Sequence, residues 1–325
     1  MVAGAQVAGR PSAPAWSHAT SMSQQQTTAP GAGRRHGGPH ALTDTRVLAV
    51  VLIVFWGTMF VVQRLALEVA PPGWVGALRV AVAAVVLLPF AGALRGVGRR
   101  GLGAAVILGL TNQAGFIGLQ VAGLQTVAAG PAAALVYLQP VLVVLASGPL
   151  LGEHLTRRRL VGALLGFAGV AIVGLHQATE VSLAGVLFLL AASLSWTVGT
   201  LVTTAVEAPI LPLVAGQHIV GAPILLAFAL ATEPVPSFSA KLVSCVVFAG
   251  VFGSALGWML LGTLLRRGEA GTVSTWLFAV PVLAAILGIV VLGESLSVEL
   301  VIGVALVAVA VRLAAAPVRR RLVPG

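Results

Sequence analysis

Residues 140–155 read PVLVVLASGPLLGEHL, and residues 281–296 read PVLAAILGIVVLGESL. Both stretches open on Pro-Val-Leu and close on Leu-Gly-Glu-X-Leu, with proline and glutamate thirteen residues apart in each. The two copies lie 141 residues apart. The same offset pairs Gly130 with Gly271 and Gly162 with Gly303, and Trp56 pairs with Trp196 at 140. Apolar segments resemble one another through composition alone. A proline, glycine and glutamate frame held at one spacing marks an internal repeat, two copies of one unit in tandem.

Outward from these frames, apolar runs of about 20 residues recur from Val47 onward. They cover 47–66, 73–94, 102–124, 126–150, 160–176, 182–205, 210–231, 241–265, 270–292 and 297–315. As a helix, each run is long enough to cross about 30 Å of hydrocarbon. In lipid the backbone must satisfy its own polar groups, which leaves helices or a closed barrel, and these runs lack the alternation of barrel strands. The expected fold is an all-α integral membrane protein with ten transmembrane helices. Each repeat then holds five, an odd number, so the second enters the membrane with the opposite sense: two inverted five-helix repeats, as in many secondary transporters. The expected boundaries are a disordered cytoplasmic tail over 1–45, a first repeat over 46–176, a second over 177–316 and a cytoplasmic tail over 317–325.

Composition agrees with a bilayer as solvent. Of 325 residues, 58% are apolar and 9% charged, with a mean hydropathy of +1.03; a soluble domain is about a quarter charged. Nineteen Lys and Arg oppose nine Asp and Glu, for a net charge of +10. The basic residues gather in clusters at alternate connections: Arg95, Arg99 and Arg100, then Arg157, Arg158 and Arg159, then Arg266 and Arg267. Both tails are basic as well, whereas the outer loops hold only Lys241. This asymmetry places both termini in the cytoplasm and the chain in the plasma membrane. It is a topology pattern and not a nucleic-acid groove, so no nucleic-acid partner is expected. The single cysteine, Cys245, excludes an internal disulfide and a cysteine zinc cluster. No phosphate-cradling loop is present, so ATP-driven transport within the chain is disfavoured and no cofactor is expected.

Trp56-Gly57 in the first run, Arg79 in the second, the two Pro…Gly-Glu frames, and Gly162 and Gly303 opening the fifth and tenth runs together resemble the drug/metabolite transporter superfamily, in its two-domain EamA type. The resemblance covers residues 47–315. It implies alternating access by a secondary transporter for a small metabolite, an amino acid or a drug-like compound, with efflux the commoner direction. It also implies that the hairpins of spans three–four and eight–nine move. The halves are not equivalent: Thr197 follows Trp196 where Gly57 follows Trp56, and His218 lies near the place of a second Arg79. The alternatives are an intramembrane enzyme and a channel-like facilitator. Ser254 and His218 are hydrolase residue types, but no chemistry-bearing spacing joins them. An inverted pair of halves favours alternating access over an open lumen.

An ionisable residue inside a span is costly and therefore a candidate for function. Arg79 either grips an anionic solute group through its guanidinium or snorkels to the outer interface. His218, beside Gln217 in the seventh span, is the candidate coupling residue for protons; its alternative is a neutral histidine bonded to nearby backbone. Asn112, Gln113 and Gln120 in the third span and Tyr137 and Gln139 in the fourth either line a wet cavity or join helices. Gln113 and Gln120, seven apart, share a face of a regular helix. Trp56, Trp196, Trp258 and Trp276 complete the expected cavity wall. Glu153 and Glu294 end spans four and nine and read as structural caps or loop partners, and Pro140 and Pro281 as kinks that let those spans act as gates. No carboxylate lies deep in any run, which disfavours a carboxylate proton relay. The expected partners are a small-molecule solute and the lipid bilayer, with a homodimer admitted.

Overall fold

The computed structural model describes residues 39–127, 129–175, 182–292 and 298–315. Residues 1–38, the C-terminal tail and Glu294 lie outside the described residues, while residues 39–45, expected as the end of a disordered tail, are helical. All regular elements among these residues are helical. Helix α1 (Pro39–Leu67) is followed by α2 (Pro72–Leu87), which tightens into a 3-10 turn over Leu88–Gly96. Helices α3 (Gly98–Leu108) and α4 (Phe116–Leu124) are joined through a π-helix, Gly109–Gly115. Next come α5 (Ala129–Val136), α6 (Gln139–Leu151), α7 (Arg157–Leu175), α8 (Leu183–Ala205) and α9 (Ile210–Thr232). Helices α10 (Ala240–Phe248) and α11 (Gly257–Arg267) are joined through a second π-helix, Ala249–Leu256. The bundle ends with α12 (Ala270–Trp276), α13 (Ala279–Leu292) and α14 (Val298–Ala315).

Among the described residues, eight helical segments are long and apolar enough to cross a membrane: Thr45–Leu67, Pro72–Gly96, Gly98–Gly123, Ala134–Leu151, Leu183–Ala205, Ile210–Thr232, Ala240–Arg267 and Ala270–Val291. Polarity is turned outside in. Asn112, Gln113, Gln139, Thr200, Gln217 and His218 are buried, while Val85, Leu150, Leu183, Val290 and Val298 stand exposed on the rim. Hydrocarbon accepts the exposed aliphatics at no cost, and polar side chains find one another inside.

The two halves pack on each other: α1 against α13, α2 against α9, α4 against α8, α6 against α12 and α7 against α14. The α7–α14 contact is a close approach of backbones. A Cβ on Gly169 would stand 2.8 Å from the carbonyl oxygen of Gly303, so only glycine fits there.

Both proline frames break their helices, and the break comes just ahead of the proline. Helix α5 stops at Val136, the N–H of Leu138 reaches back only three residues to Leu135 O at 3.3 Å, and α6 restarts at Gln139. Pro140 therefore occupies the first turn of α6, where its missing N–H leaves no bond unmade. In the second frame α12 stops at Trp276, Leu277 N–H bonds Ser274 O at 3.0 Å, and α13 restarts at Ala279 ahead of Pro281. The glycine of the first frame has its own reason. Gly152 caps α6 in the left-handed region at φ 68°, where a side chain is strained.

At one end of the bundle Lys241 pairs with Glu68, and Glu233 accepts from the N–H groups of Gly73 and Trp74, at 3.0 and 3.1 Å, at the start of α2. At the opposite end Glu153 accepts from the N–H groups of Ala270 and Gly271, at 2.6 and 3.2 Å, at the start of α12. Arg159 pairs with Glu269 there, and Arg266 donates to Ala208 O at 3.1 Å.

Candidate functional site

Trp56 on α1 is the hub of an aromatic cluster. Its ring meets Trp196 of α8 and Trp258 of α11 edge to face, each at 5.7 Å. Trp196 stacks on Phe116 at 4.9 Å and meets Tyr137 edge-on at 5.9 Å. The indole Nε1 of Trp56 donates to Gly253 O at 2.9 Å. Gly253 lies in the second π-helix, whose wider turns leave carbonyls outside the regular ladder, and such turns recur at functional sites.

Over this cluster lies a cavity of about 60 Å³, measured as the space open to the centre of a water molecule and roomy enough for roughly four waters. Trp56, Met59, Gln63, Arg79, Phe116, Gln120, Val136, Tyr137, Trp196, Gly253 and Trp258 line it. Arg79 comes from α2, two turns beyond its start, and its Nε is buried with no hydrogen-bond partner among the described residues. The wall thus offers one guanidinium, two amides, a phenol and the faces of several rings, with no carboxylate among the residues that line it. In its chemistry such a set is complementary to a carboxylate or similar anionic group. A cationic group on the same molecule would meet ring faces and neutral amide or phenol oxygens, with no carboxylate among the lining residues to pair with it. Among the described residues no cluster of His, Cys, Asp and Glu is composed to hold a metal ion.

Of the residues proposed from sequence, the structure brings together Trp56, Arg79, Gln120, Tyr137, Trp196 and Trp258. Asn112, Gln113 and Gln139 are elsewhere, between helices. Asn112 Nδ2 donates to Gln217 Oε1 at 3.1 Å, and Gln139 Nε2 donates to Thr200 Oγ1 at 3.0 Å. Gln113 packs where a Cβ on Gly221 of α9 would collide with it, and its amide has no partner among the described residues. The shared face expected for Gln113 and Gln120 fails for a physical reason. The π-helix over Gly109–Gly115 takes more residues per turn than an α-helix, so a spacing of seven no longer returns to one face. Trp276 packs against the core on α12 and does not line the cavity.

His218 is wholly buried; its Nδ1 donates to Val214 O at 2.7 Å, and its Nε2 has no partner among the described residues. Ser254 Oγ is likewise buried without a partner, so no hydrogen bond joins the serine and histidine. Sequence reasoning missed Met59, Gln63 and Phe116. The first two were accessible: Trp56, Met59 and Gln63 stand at i, i+3 and i+7 on one helix, hence on one face.

A bundle of helices that expose aliphatics and enclose a polar, aromatic cavity defines a multi-pass helical membrane protein with a place for a small solute. The chain belongs to the EamA-like transporter family, whose pattern matches residues 45–175 and again residues 183–316. It is similar to the uncharacterized transporter YvbV of Bacillus subtilis, with 30% identity across 83% of this chain and 91% of that protein. A WAT1-related chloroplastic protein of Arabidopsis thaliana shares 28% identity over 85% of this chain and 70% of its own. The uncharacterized inner membrane transporter YedA of Escherichia coli K12 shares 29% over 76% and 82%. A solved crystal structure matches with a TM-score of 0.73 over 84% of this chain and 96% of its own, at 22% identity, a likeness of fold alone. These relatives agree with the drug/metabolite transporter superfamily.

Proposed function

We infer that this transporter carries a small organic solute bearing a carboxylate or similar anionic group, an amino acid or a molecule of like size, by alternating access. The direction is outward across the plasma membrane. The carrying observation is Arg79, whose buried Nε has no partner and which lines the aromatic cavity. A guanidinium inside a membrane span with a buried N–H left unpaired is costly, and a solute carboxylate relieves that cost. The frame for this reading is ten crossings in two inverted five-helix repeats, 46–176 and 177–316, with both termini cytoplasmic. Three features support it: the doubled family match, the π-helix in the third span of each half, and the helix break ahead of Pro140 and of Pro281.

The test is solute exchange in proteoliposomes with a panel of amino acids, simple carboxylates and their uncharged amide analogues. A carboxylate is expected to exchange and its amide not. Arg79→Ala is expected to lower exchange at limiting solute by roughly 30-fold, the loss of about 2 kcal/mol for a hydrogen bond between charged groups. Arg79→Lys should retain part of the activity. Wild-type exchange of the carboxylate by Arg79→Ala would refute the assignment.

A further inference from the structure

A second and smaller cavity, about 10 Å³ on the same measure and room for one water, lies toward the basic end of the bundle. Thr200 and Thr203 near the end of α8, Gln217 on α9 and Gly262 on α11 help to line it. The cavity of Arg79 lies toward the other end, near the end of α1 and the start of α2. One side chain lines both. Trp258, 5% exposed, lines the larger cavity and the smaller one. Its position follows from the second π-helix, which ends at Leu256, two residues before it, and whose Gly253 carbonyl holds the indole of its neighbour Trp56.

The smaller chamber has a group that waits for a ligand. Gln217 is 2% exposed, its Oε1 is taken by Asn112, and its Nε2 has no partner among the described residues. A buried amide N–H without an acceptor is unfavourable, and an oxygen acceptor entering the chamber satisfies it. We propose that Trp258 is the septum between two stations of one solute path, and that the chamber beyond it, with room for one water-sized group, is a second station where Gln217 receives a single carboxylate or carbonyl oxygen of the solute. The proposal rests on the transport reading above.

The experiment reads thiol accessibility in the full chain and needs no solute. Cys245→Ser removes the native thiol, Thr203→Cys reports on the smaller chamber, and Lys241→Cys in a separate variant marks the membrane face toward which the Arg79 cavity lies. An anionic, membrane-impermeant methanethiosulfonate is applied from that face. With Trp258 present, Thr203→Cys reacts slowly. Trp258→Ala is expected to raise the rate at least tenfold from the marked face, and Trp258→Phe to keep it slow. If Trp258→Ala does not survive purification, Trp258→Leu carries the same expected direction. In the Trp258→Ala background, Gln217→Leu should slow the anionic reagent several-fold against a neutral one of similar size. An unchanged rate in Trp258→Ala overturns the septum, and an unchanged anionic-to-neutral ratio in Gln217→Leu overturns the second station. Wild-type exchange by Arg79→Ala, with labelling as expected, would instead refute the solute reading and leave the septum standing.

Discussion

Glu153 accepts from two backbone N–H groups at the start of α12, in the other half of the chain, and that arrangement gives the Leu-Gly-Glu ending of the first frame a role. The left-handed Gly152 turns the chain off α6, and the carboxylate reaches the positive end of a helix dipole. Sequence reasoning placed the role of Glu153 as a cap or loop partner. It had no means of naming the capped helix, which is 117 residues away in the chain. Loss of two charge-assisted bonds is expected to cost about 2 kcal/mol, so Glu153→Ala should lower Tm in detergent by roughly 5 °C, read by scanning fluorimetry. A Tm within one degree of wild type would show the cap to be dispensable. His218, the coupling residue proposed from sequence, lines neither cavity, and its buried Nε2 has no partner among the described residues. His218→Ala is expected to leave solute exchange intact while removing acceleration by an imposed pH gradient. Equal acceleration of wild type and variant in vesicles would exclude His218 from coupling.

Two kinds of helical element depart from regular geometry, and both serve the cavity. The π-helices re-aim side chains. Gln120 lines the cavity whereas Gln113 packs against α9, and Gly253 O is left to hold Trp56. No residue type marks a π-turn in sequence, so a reading based on 3.6 residues per turn misplaces whatever follows one. The proline breaks were legible, because proline cannot continue a helix, but their position one turn early depends on how the flanking turns pack. Tyr137 sits in the first break and lines the cavity, so the joint and the site coincide. Pro140→Ala permits α5 and α6 to merge into one helix. The expected result is turnover lowered several-fold with Tm changed by about 2 °C or less, since proline acts partly by restricting the unfolded chain. Unchanged turnover would mean that the break is not a moving joint.

At the scale of the molecule, the two family-matched halves interlock, each helix of one packing on a helix of the other. The cavity draws Trp56, Arg79 and Tyr137 from the first half and Trp196 and Trp258 from the second, so neither half holds a site alone. If the halves are inverted, the connection bearing Glu153 and the segment bearing Glu294 face opposite sides of the membrane. Reporter fusions at the two positions should then give opposite signals, cytoplasmic for Glu153 and external for Glu294. The same signal at both would end the inverted-repeat reading and the alternating-access mechanism with it.

Composition, the length of the apolar runs and the spacing of the proline and glutamate landmarks sufficed by themselves to call for a helical membrane protein built from a duplicated unit. Those properties are local, and lipid leaves a chain of this polarity almost no other way to satisfy its backbone. Which polar residues face the solute was settled only in three dimensions. Arg79, Gln63 and Trp258 meet because helices far apart in sequence pack together, and Asn112 and Gln139 are spent on neighbouring helices for the same reason. A side chain's direction depends on the rotation accumulated along its helix and on the partner across from it, and neither is written in the residue itself.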